Sequence, residues 1–231
     1  CSSILGYLIR YATIIEVPLD QYSFCDIVCN TIVNSVNNEV LKKITATLGE
    51  YLFYVATQEE TPDNQEWKIC DKYLNTLLFC LDSKRNDIVK FYCIKTIENI
   101  CILTVVAKNY FAKDDTFMSK ILEAYKSTKN IELKQSAISC VSHIIRHQPG
   151  LIKSFLEKLP VLTNTNLFSS ENSTIQQSII NCLLYSCVLT NAFPKSFFNS
   201  IFINSLGAGR MKKEDEIIMF GLQDEILGDL K

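Results

Sequence analysis

The chain has 231 residues, of which 48% are apolar and 21% charged, so it is long and apolar enough to bury a sizeable core. It contains only seven glycines and five prolines, residues on which sheet proteins draw for their many tight turns, so the composition favours long helices. A formal net charge of −2 excludes the strongly basic surface of a typical nucleic-acid-binding protein and gives no electrostatic reason to bind an anionic membrane.

Helical periodicity, with apolar residues at i, i+3, i+4 and i+7, runs through the chain. The opening helical segment carries Ile4, Leu5, Leu8, Ile9, Ala12 and Ile15. Helix pairs follow, each with a shorter apolar helix, a polar turn and a second helix. The predicted pairs span 21–36 and 39–58, 66–81 and 87–107, 117–127 and 131–147, 151–162 and 174–189, and a weaker 196–206 and 214–227. Asn38, Asp87 and Ser173 stand where N-caps are expected.

The second helices of these pairs align at a nearly constant spacing. Matching Leu41, Val89, Leu133 and Gln176 gives steps of 48, 44 and 43 residues, close to the period of roughly 40–47 in armadillo and HEAT repeats. One helix pair cannot bury both of its faces, whereas stacked pairs share a continuous core. The sequence therefore predicts an all-α fold, an armadillo/HEAT-like right-handed superhelical solenoid of about five helix-pair repeats. We expect a single domain over 1–231, cut from a longer protein, because the chain opens inside a helical pattern.

The same alignment places three lysines, Lys42, Lys90 and Lys134, at one position of the repeat. Equivalent positions of a solenoid form a ladder along the stack, and the last helix of each armadillo repeat lines the concave groove. A lysine ladder there predicts a binding site for an acidic peptide or an acidic protein surface. The alternative is that lysines near the starts of helices are only solvated.

Signals for catalysis are almost absent. Gly207 and Gly209 follow no strand, and the chain has no phosphate-binding loop, nucleophile elbow or kinase signature. Cys140, His143 and His147 share one helix face, a spacing that could present three zinc ligands, but no fourth ligand or CxxC pair accompanies them. We interpret them as structural, with His147 near a helix C-terminus where positive charge is favoured. We therefore expect no enzymatic activity, no cofactor and no metal.

Ten cysteines are present, and most, Cys70 among them, fall in predicted apolar helical runs, where a free cysteine behaves as a small buried hydrophobe. We expect Cys25 with Cys29 and Cys182 with Cys187 to be buried in this way, in a reducing intracellular compartment. From 172 to 208 the only charged residue is Lys195, but polar residues leave an apolar core shorter than the roughly 20 residues of a spanning helix. This stretch predicts a buried helix pair or, alternatively, a packing surface for further repeats or another chain.

The most distinctive segment is LGEYLFYVATQEE, from Leu48 to Glu60. It resembles the LGELLFYIATQ block in the C-terminal helical-repeat region of the Fused/RUNKEL-type kinases and pseudokinases, a group that includes the fourth Unc-51-like kinase of animals. The segment LGYLIRYATIIE, from Leu5 to Glu16, is similar to the block just upstream in that family. Tyr51 replaces a leucine of the block. The family's kinase domain is not in this chain, so no catalytic residue is carried over.

This resemblance implies a non-catalytic scaffold for protein–protein interactions in the cytoplasm, at the cytoskeleton or in cilia and flagella. The processes it implies are microtubule-linked, including cytokinesis, and the implied partners are kinesins and tubulin-associated or axonemal proteins. The alternative is an armadillo/HEAT adaptor in intracellular trafficking or transport. Nuclear import is disfavoured, because its armadillo receptors carry recurrent Trp on the groove helix, whereas Trp67 lies on a first helix. Within the block, Gly49 predicts a close helix approach, and Glu50 predicts a structural hydrogen bond to an adjacent loop.

Overall fold

A computed structural model of the chain describes residues 2–61, 66–82, 85–148, 151, 154–155, 157–158 and 175. The regular elements in this part of the chain are all helical, and no strand occurs among them, which confirms the all-α class there. The helices are α1 Ser2–Tyr11, α2 Phe24–Asn34, α3 Asn38–Glu59, α4 Asp71–Cys80, α5 Asp87–Ile100, α6 Thr104–Val106, α7 Thr116–Ser127 and α8 Ile131–His147. Most of the predicted fourth pair, all of the fifth, the cap at Ser173 and the 172–208 stretch apart from Ile175 lie outside the described residues.

The three helix pairs α2–α3, α4–α5 and α7–α8, called units one, two and three below, follow the predicted order. Helices α2 and α4 begin later than predicted, at Phe24 and Asp71, so the placement of Trp67 on a first helix is wrong, because Trp67 lies before α4. The helix predicted over 131–147 is confirmed at both ends. The helix predicted over 87–107 is wrong at its C-terminal end, because α5 ends at Ile100 and Leu103 adopts an extended backbone. The short α6 and a π-helical turn over Ala107–Phe111 follow in place of the predicted last two turns.

Polar contacts with residues at the end of α3 stabilise the backbone after the break in α5. The carboxylate of Glu60 accepts a hydrogen bond from the Val105 backbone N–H at 2.6 Å, and the Tyr110 hydroxyl donates to Glu59 at 2.8 Å. Both acceptors lie about 45–51 residues away in sequence, so no local pattern around residue 100 signals the break. Tertiary partners thus override a helical periodicity that continues through the break.

Asparagine side chains cap the second helices of all three units. Asn37 accepts from two backbone N–H groups of α3, Asn86 from one of α5, and Asn130 from one of α8. Each has extended backbone dihedrals, as an N-cap residue requires. The caps predicted at Asn38 and Asp87 are therefore wrong by one residue, since both are the first residues of their helices.

Helices α1, α3, α5 and α8, called the second-helix row below, pack in succession, each against the next. On the other side, α2 packs against α4 and α3, and α7 packs against α8. The core between the two sides includes Tyr51 of α3 and Tyr73 of α4, both fully buried, with ring centroids 6.0 Å apart in an edge-to-face arrangement. Burial raises the pKa of both phenols, so they stay neutral and pack as aromatic core residues. Tyr51, which departs from the family block, is thus a central core residue.

Hydrogen bonds between segments about one repeat apart recur at similar sequence separations. Four such hydrogen bonds link residues that are 39–45 positions apart. They are Ser2 with Thr47 (3.0 Å), the Ile15 backbone N–H with the Tyr54 hydroxyl (2.8 Å), Ser139 with Glu98 (2.8 Å) and Lys158 with Asp115 (2.9 Å). These values are close to the steps of 48, 44 and 43 found by aligning the second helices. Neighbouring units are therefore joined by polar contacts as well as by apolar packing.

The close helix approach predicted at Gly49 is confirmed. A Cβ atom on Gly49 would stand 2.5 Å from the Thr96 Oγ1 of α5, well inside van der Waals contact. Gly6 has the same role between α1 and α3, where a Cβ would stand 3.1 Å from the Thr47 Oγ1. In both places a threonine hydroxyl fills the space that the glycine leaves, and each hydroxyl donates to a carbonyl of its own helix.

Replacing Gly49 by alanine should destabilise the fold by about 1–3 kcal/mol, because the new methyl group displaces Thr96 from its hydrogen bond to Tyr92. Adding Thr96→Ala should recover most of that loss, since it removes the colliding oxygen while the alanine retains its helix-propensity gain of about 1 kcal/mol. Chemical denaturation of the two single variants and the double variant measures this. Gly6→Ala is the control and should cost less. Strict additivity at 49 and 96 would contradict the close contact.

Asn37→Ala should lower the free energy of unfolding by about 1 kcal/mol, because α3 loses the side chain that accepts from the Glu39 and Val40 N–H groups. The matched variant Asn38→Ala should be nearly neutral, since that side chain makes no capping bond. Thermal melts of the two variants compare the neighbouring asparagines directly. A larger loss at Asn38 would place the cap where the sequence pattern alone puts it.

Candidate functional site

Two adjoining hollows lie over α1, α3 and α5, with volumes of about 670 and 340 Å³. They share Arg10, Ala46, Glu50 and Tyr92 in their walls, so they form one continuous depression, called the groove below. All three contributing helices belong to the second-helix row. The larger hollow continues to the break after α5, where Ile102 lines it with 54% of its surface exposed.

Aromatic and basic side chains dominate the groove wall. The aromatic residues are Tyr7, Phe53, Tyr54 and Tyr92, and the basic residues are Arg10, Lys42, Lys43 and Lys95. Glu50 is the one acidic side chain among the described residues that line the two hollows. The groove therefore carries a local excess of positive charge on a chain whose net charge is −2.

Two of the four basic side chains in the groove wall form ion pairs with acidic residues, and the other two do not. Arg10 forms an ion pair with Glu50 across α1 and α3, and the Lys95 Nζ lies 2.9 Å from the Glu98 Oε2. Lys42 and Lys43 have no acidic partner within ion-pair distance among the described residues. The uncompensated positive charge of the groove thus lies at the first turns of α3.

Glu50 contacts a helix and not the adjacent loop that the sequence suggested. Its partner Arg10 is about half exposed, so this pair contributes at most about 1 kcal/mol to stability. The aromatic residues of the groove have no repeated position in the alignment, so the sequence pattern did not predict them, nor did it predict Arg10 and Lys95. Only the arrangement of α1 and α5 beside α3 brings these side chains together.

The three lysines of the predicted ladder all lie near the starts of second helices, but their surroundings differ. Lys42 is half-buried and lines the smaller hollow. Lys90 is only 3% exposed, with its Nζ 3.8 Å from the Asp87 Oδ1. The Lys134 Nζ lies 5.4 Å from the ring centroid of Tyr125 in α7, a cation–π distance. Of the three, Lys42 is the one that lines the groove.

The Cys140, His143 and His147 face of α8 packs towards neighbouring helices. Cys140 is fully buried and both histidines are half-buried. Desolvation lowers the pKa of each imidazole, so both are neutral at pH 7 and the positive charge expected at His147 is disfavoured. Across the residues that the structure describes, no group of three or more His, Cys, Asp or Glu side chains is placed to hold a metal ion.

The cysteines of the described part are all free thiols, and their exposure differs from the prediction at two positions, Cys25 and Cys70. Cys29, Cys80, Cys93, Cys101 and Cys140 are buried, whereas Cys25 is half-buried and Cys70 is exposed. The burial predicted for Cys29 is thus confirmed, and that for Cys25 holds in part. Cys182 and Cys187 lie outside the described residues, as do Gly207 and Gly209. No helix in the described ranges has the length and apolarity needed to cross a bilayer.

Comparison with known proteins finds similarity to kinases. The chain is 27% identical over 206 residues to the serine/threonine-protein kinase RUNKEL of Arabidopsis thaliana, a match covering 83% of this chain and 15% of that protein. It is 24% identical over 147 residues to the serine/threonine-protein kinase ULK4 of Mus musculus, covering 62% of this chain and 11% of that protein. No protein-family model and no solved structure matches the chain. The chain is thus a distant relative of Fused/Unc-51-like kinases and spans a small part of their length.

Lys90→Glu should lower the free energy of unfolding by about 3 kcal/mol or more, because it buries a second carboxylate beside Asp87. Lys42→Glu should change it by less than about 1 kcal/mol, since Lys42 lies at the groove surface. Thermal and urea denaturation of the two single variants make the comparison. Equal stability of both variants would contradict the buried setting of Lys90. Changing Lys42, Lys90 and Lys134 to Glu together would therefore destabilise the fold, and a loss of binding in that variant could not be assigned to the loss of charge.

Proposed function

We propose that this chain is a non-catalytic scaffold that binds other proteins, and that an acidic segment of a partner lies in the groove over α1, α3 and α5. The observation that carries this proposal is the composition of the groove wall, which has four bases, one acid and four aromatic side chains. Carboxylates of a bound segment would meet the unpaired Lys42 and Lys43. Its apolar side chains would pack on Phe53, Tyr54 and Tyr92, since aromatic residues are enriched where interfaces are strongest.

The architecture that we propose for this function is an armadillo/HEAT-like right-handed superhelical solenoid. Successive packing of α1, α3, α5 and α8 supports it, as do inter-unit hydrogen bonds at separations of 39–46 residues. Short helical turns before α2 and α7, at Leu19–Tyr22 and Ala107–Phe111, favour the three-part repeat of armadillo proteins over a bare helix pair. In such a stack the second-helix row presents one continuous surface to a partner.

The biological setting that we propose is that of a Fused/RUNKEL-like kinase or pseudokinase, with this chain as its helical-repeat region. The similarity to RUNKEL and ULK4 supports that relation. The proposed partners are kinesins and tubulin-associated or axonemal proteins, in microtubule, ciliary or flagellar, or cytokinesis processes in the cytoplasm. The second candidate is an adaptor in intracellular trafficking or transport, which the same groove would serve with acidic cargo segments.

Binding to a defined peptide tests the groove. A fluorescein-labelled peptide that alternates Glu with Phe should bind the wild-type chain, and its affinity should fall with rising salt because the contacts are partly exposed charges. Lys42→Glu/Lys43→Glu should weaken binding by about tenfold or more, since both charges become repulsive. Fluorescence anisotropy of the peptide measures both effects.

The matched control is Lys126→Glu/Lys129→Glu, which makes the same change in net charge at two exposed lysines of unit three outside the groove. It should leave peptide binding unchanged. Equal loss in both double variants, or equal binding of the peptide with Lys in place of Glu, would contradict a specific acidic-segment site. Thermal melts confirm that both variants are folded.

Affinity capture from a cell lysate, with the wild-type chain and the Lys42→Glu/Lys43→Glu variant as baits, then tests the biological setting. Recovery of kinesins or tubulin-associated or axonemal proteins by the wild type, and their loss with the variant, would support the microtubule-linked scaffold. Recovery of coat or cargo proteins in their place would favour the trafficking adaptor.

A further inference from the structure

Three thiols meet where α2 packs against α4, on the side of the units away from the second-helix row. The Cys25 Sγ lies 3.5 Å from the Cys70 Sγ and 4.0 Å from the Cys29 Sγ. Cys25 and Cys70 belong to consecutive units and are 45 residues apart in sequence. The groove takes no part in this cluster.

The packing around the two thiols holds them close together. Lys72 and Asp26, neighbours of Cys70 and Cys25 along the chain, form an ion pair between the same two helices. The Cys70 carbonyl accepts from the Tyr73 N–H at 3.0 Å, which fixes the backbone of Cys70 at the start of α4. The two sulfur atoms need to approach by only about 1.5 Å to reach the length of a disulfide bond.

Access separates this pair from the other cysteines that the structure describes. Cys70 is exposed and Cys25 is half-buried, so a small oxidant in solvent can reach the Cys70 sulfur. Cys80, Cys93, Cys101 and Cys140 are buried, and the Cys93 thiol donates to the Leu77 carbonyl at 3.2 Å inside the core. Reactivity requires exposure as well as proximity, and the pair formed by Cys25 and Cys70 has both.

We propose that Cys25 and Cys70 are a modification site, at which a hydroperoxide converts the two thiols into a reversible disulfide that joins unit one to unit two. The inference is independent of the proposed groove function.

The reaction proceeds in two balanced steps. The Cys70 sulfur attacks the hydroperoxide, whose O–O bond breaks, giving a sulfenic acid and releasing an alcohol or, from hydrogen peroxide, water. The Cys25 sulfur then attacks the Cys70 sulfur, so that the S–S bond forms, the S–O bond breaks and the oxygen leaves as water with the Cys25 proton. The two thiols lose two electrons, which the hydroperoxide accepts. Two equivalents of a monothiol such as glutathione reverse the change by exchange.

The surroundings of the two residues fit this order of events. Burial raises the pKa of the Cys25 thiol, which disfavours the thiolate that would react first with a peroxide, so the exposed Cys70 is oxidised first. The Cys25 Sγ, 3.5 Å from the Cys70 Sγ, is then close enough to attack the sulfenic acid. The disulfide would tie α2 to α4 and so fix the relative position of the first two units.

The test oxidises the reduced, purified chain with increasing hydrogen peroxide, followed by alkylation of remaining thiols and mass spectrometry of the unreduced digest. We expect a Cys25–Cys70 cross-linked peptide from the monomer and a rise in Tm of about 5–10 °C, because the cross-link closes a long loop in the unfolded chain. A reducing agent should reverse both. Cys70→Ser should match the reduced wild type in Tm, since Cys70 is exposed, and should show neither cross-link nor Tm rise under peroxide.

Cys29→Ala is the matched control, because it removes the third thiol and leaves the proposed pair. It should keep the cross-link, and the Cys70→Ser result decides the matter if Cys29→Ala is unstable. A Cys25–Cys29 cross-link, a Cys70–Cys70 link between two chains, or oxidation of Cys70 alone with Cys25 free would each overturn the proposal.

Discussion

The position of α3 between α1 and α5 is the constraint on which the rest of the structure depends. Helix α3 packs against both neighbours, and at both contacts a glycine on one helix faces a threonine on the other. Such contacts allow the backbones to come closer than side chains larger than hydrogen would permit. Because the three helices lie so close, side chains of α1, α3 and α5 that flank the contacts come together at the surface. The groove wall over α1, α3 and α5 is one result of this arrangement.

Polar contacts between units specify how each unit sits on the next. Apolar packing alone tolerates sliding, because many apolar surfaces fit one another about equally well. Directional hydrogen bonds such as that of Ser139 with Glu98, and that of Val105 with Glu60, are met in one relative position. Glu98 also pairs with Lys95 at the groove, so the same carboxylate takes part in the contact between units two and three and in the charge of the groove wall.

The two sides of the units differ in chemistry. The second-helix row carries the unpaired positive charges of Lys42 and Lys43 beside the aromatic ring of Tyr92. These features suit a noncovalent partner of opposite charge. The α2–α4 side carries adjacent thiols, which are suited to covalent modification. A disulfide between Cys25 and Cys70 would join unit one to unit two on the side away from the groove.

The sequence by itself determined the helical class of the described part, the three helix pairs and their spacing, because apolar periodicity and scarce glycine and proline act locally along the chain. It located the caps of α3 and α5 within one residue, since capping depends on a short polar side chain beside the first turn. Only the tertiary structure decided that α5 stops at Ile100 and that Lys90 is buried while Lys42 lines the groove. Tertiary packing also brings Cys25 to Cys70. The break after α5 and the meeting of Cys25 with Cys70 depend on contacts between residues 45 or more positions apart. A repeat pattern indicates which position of the repeat a residue occupies, but not which neighbour covers it.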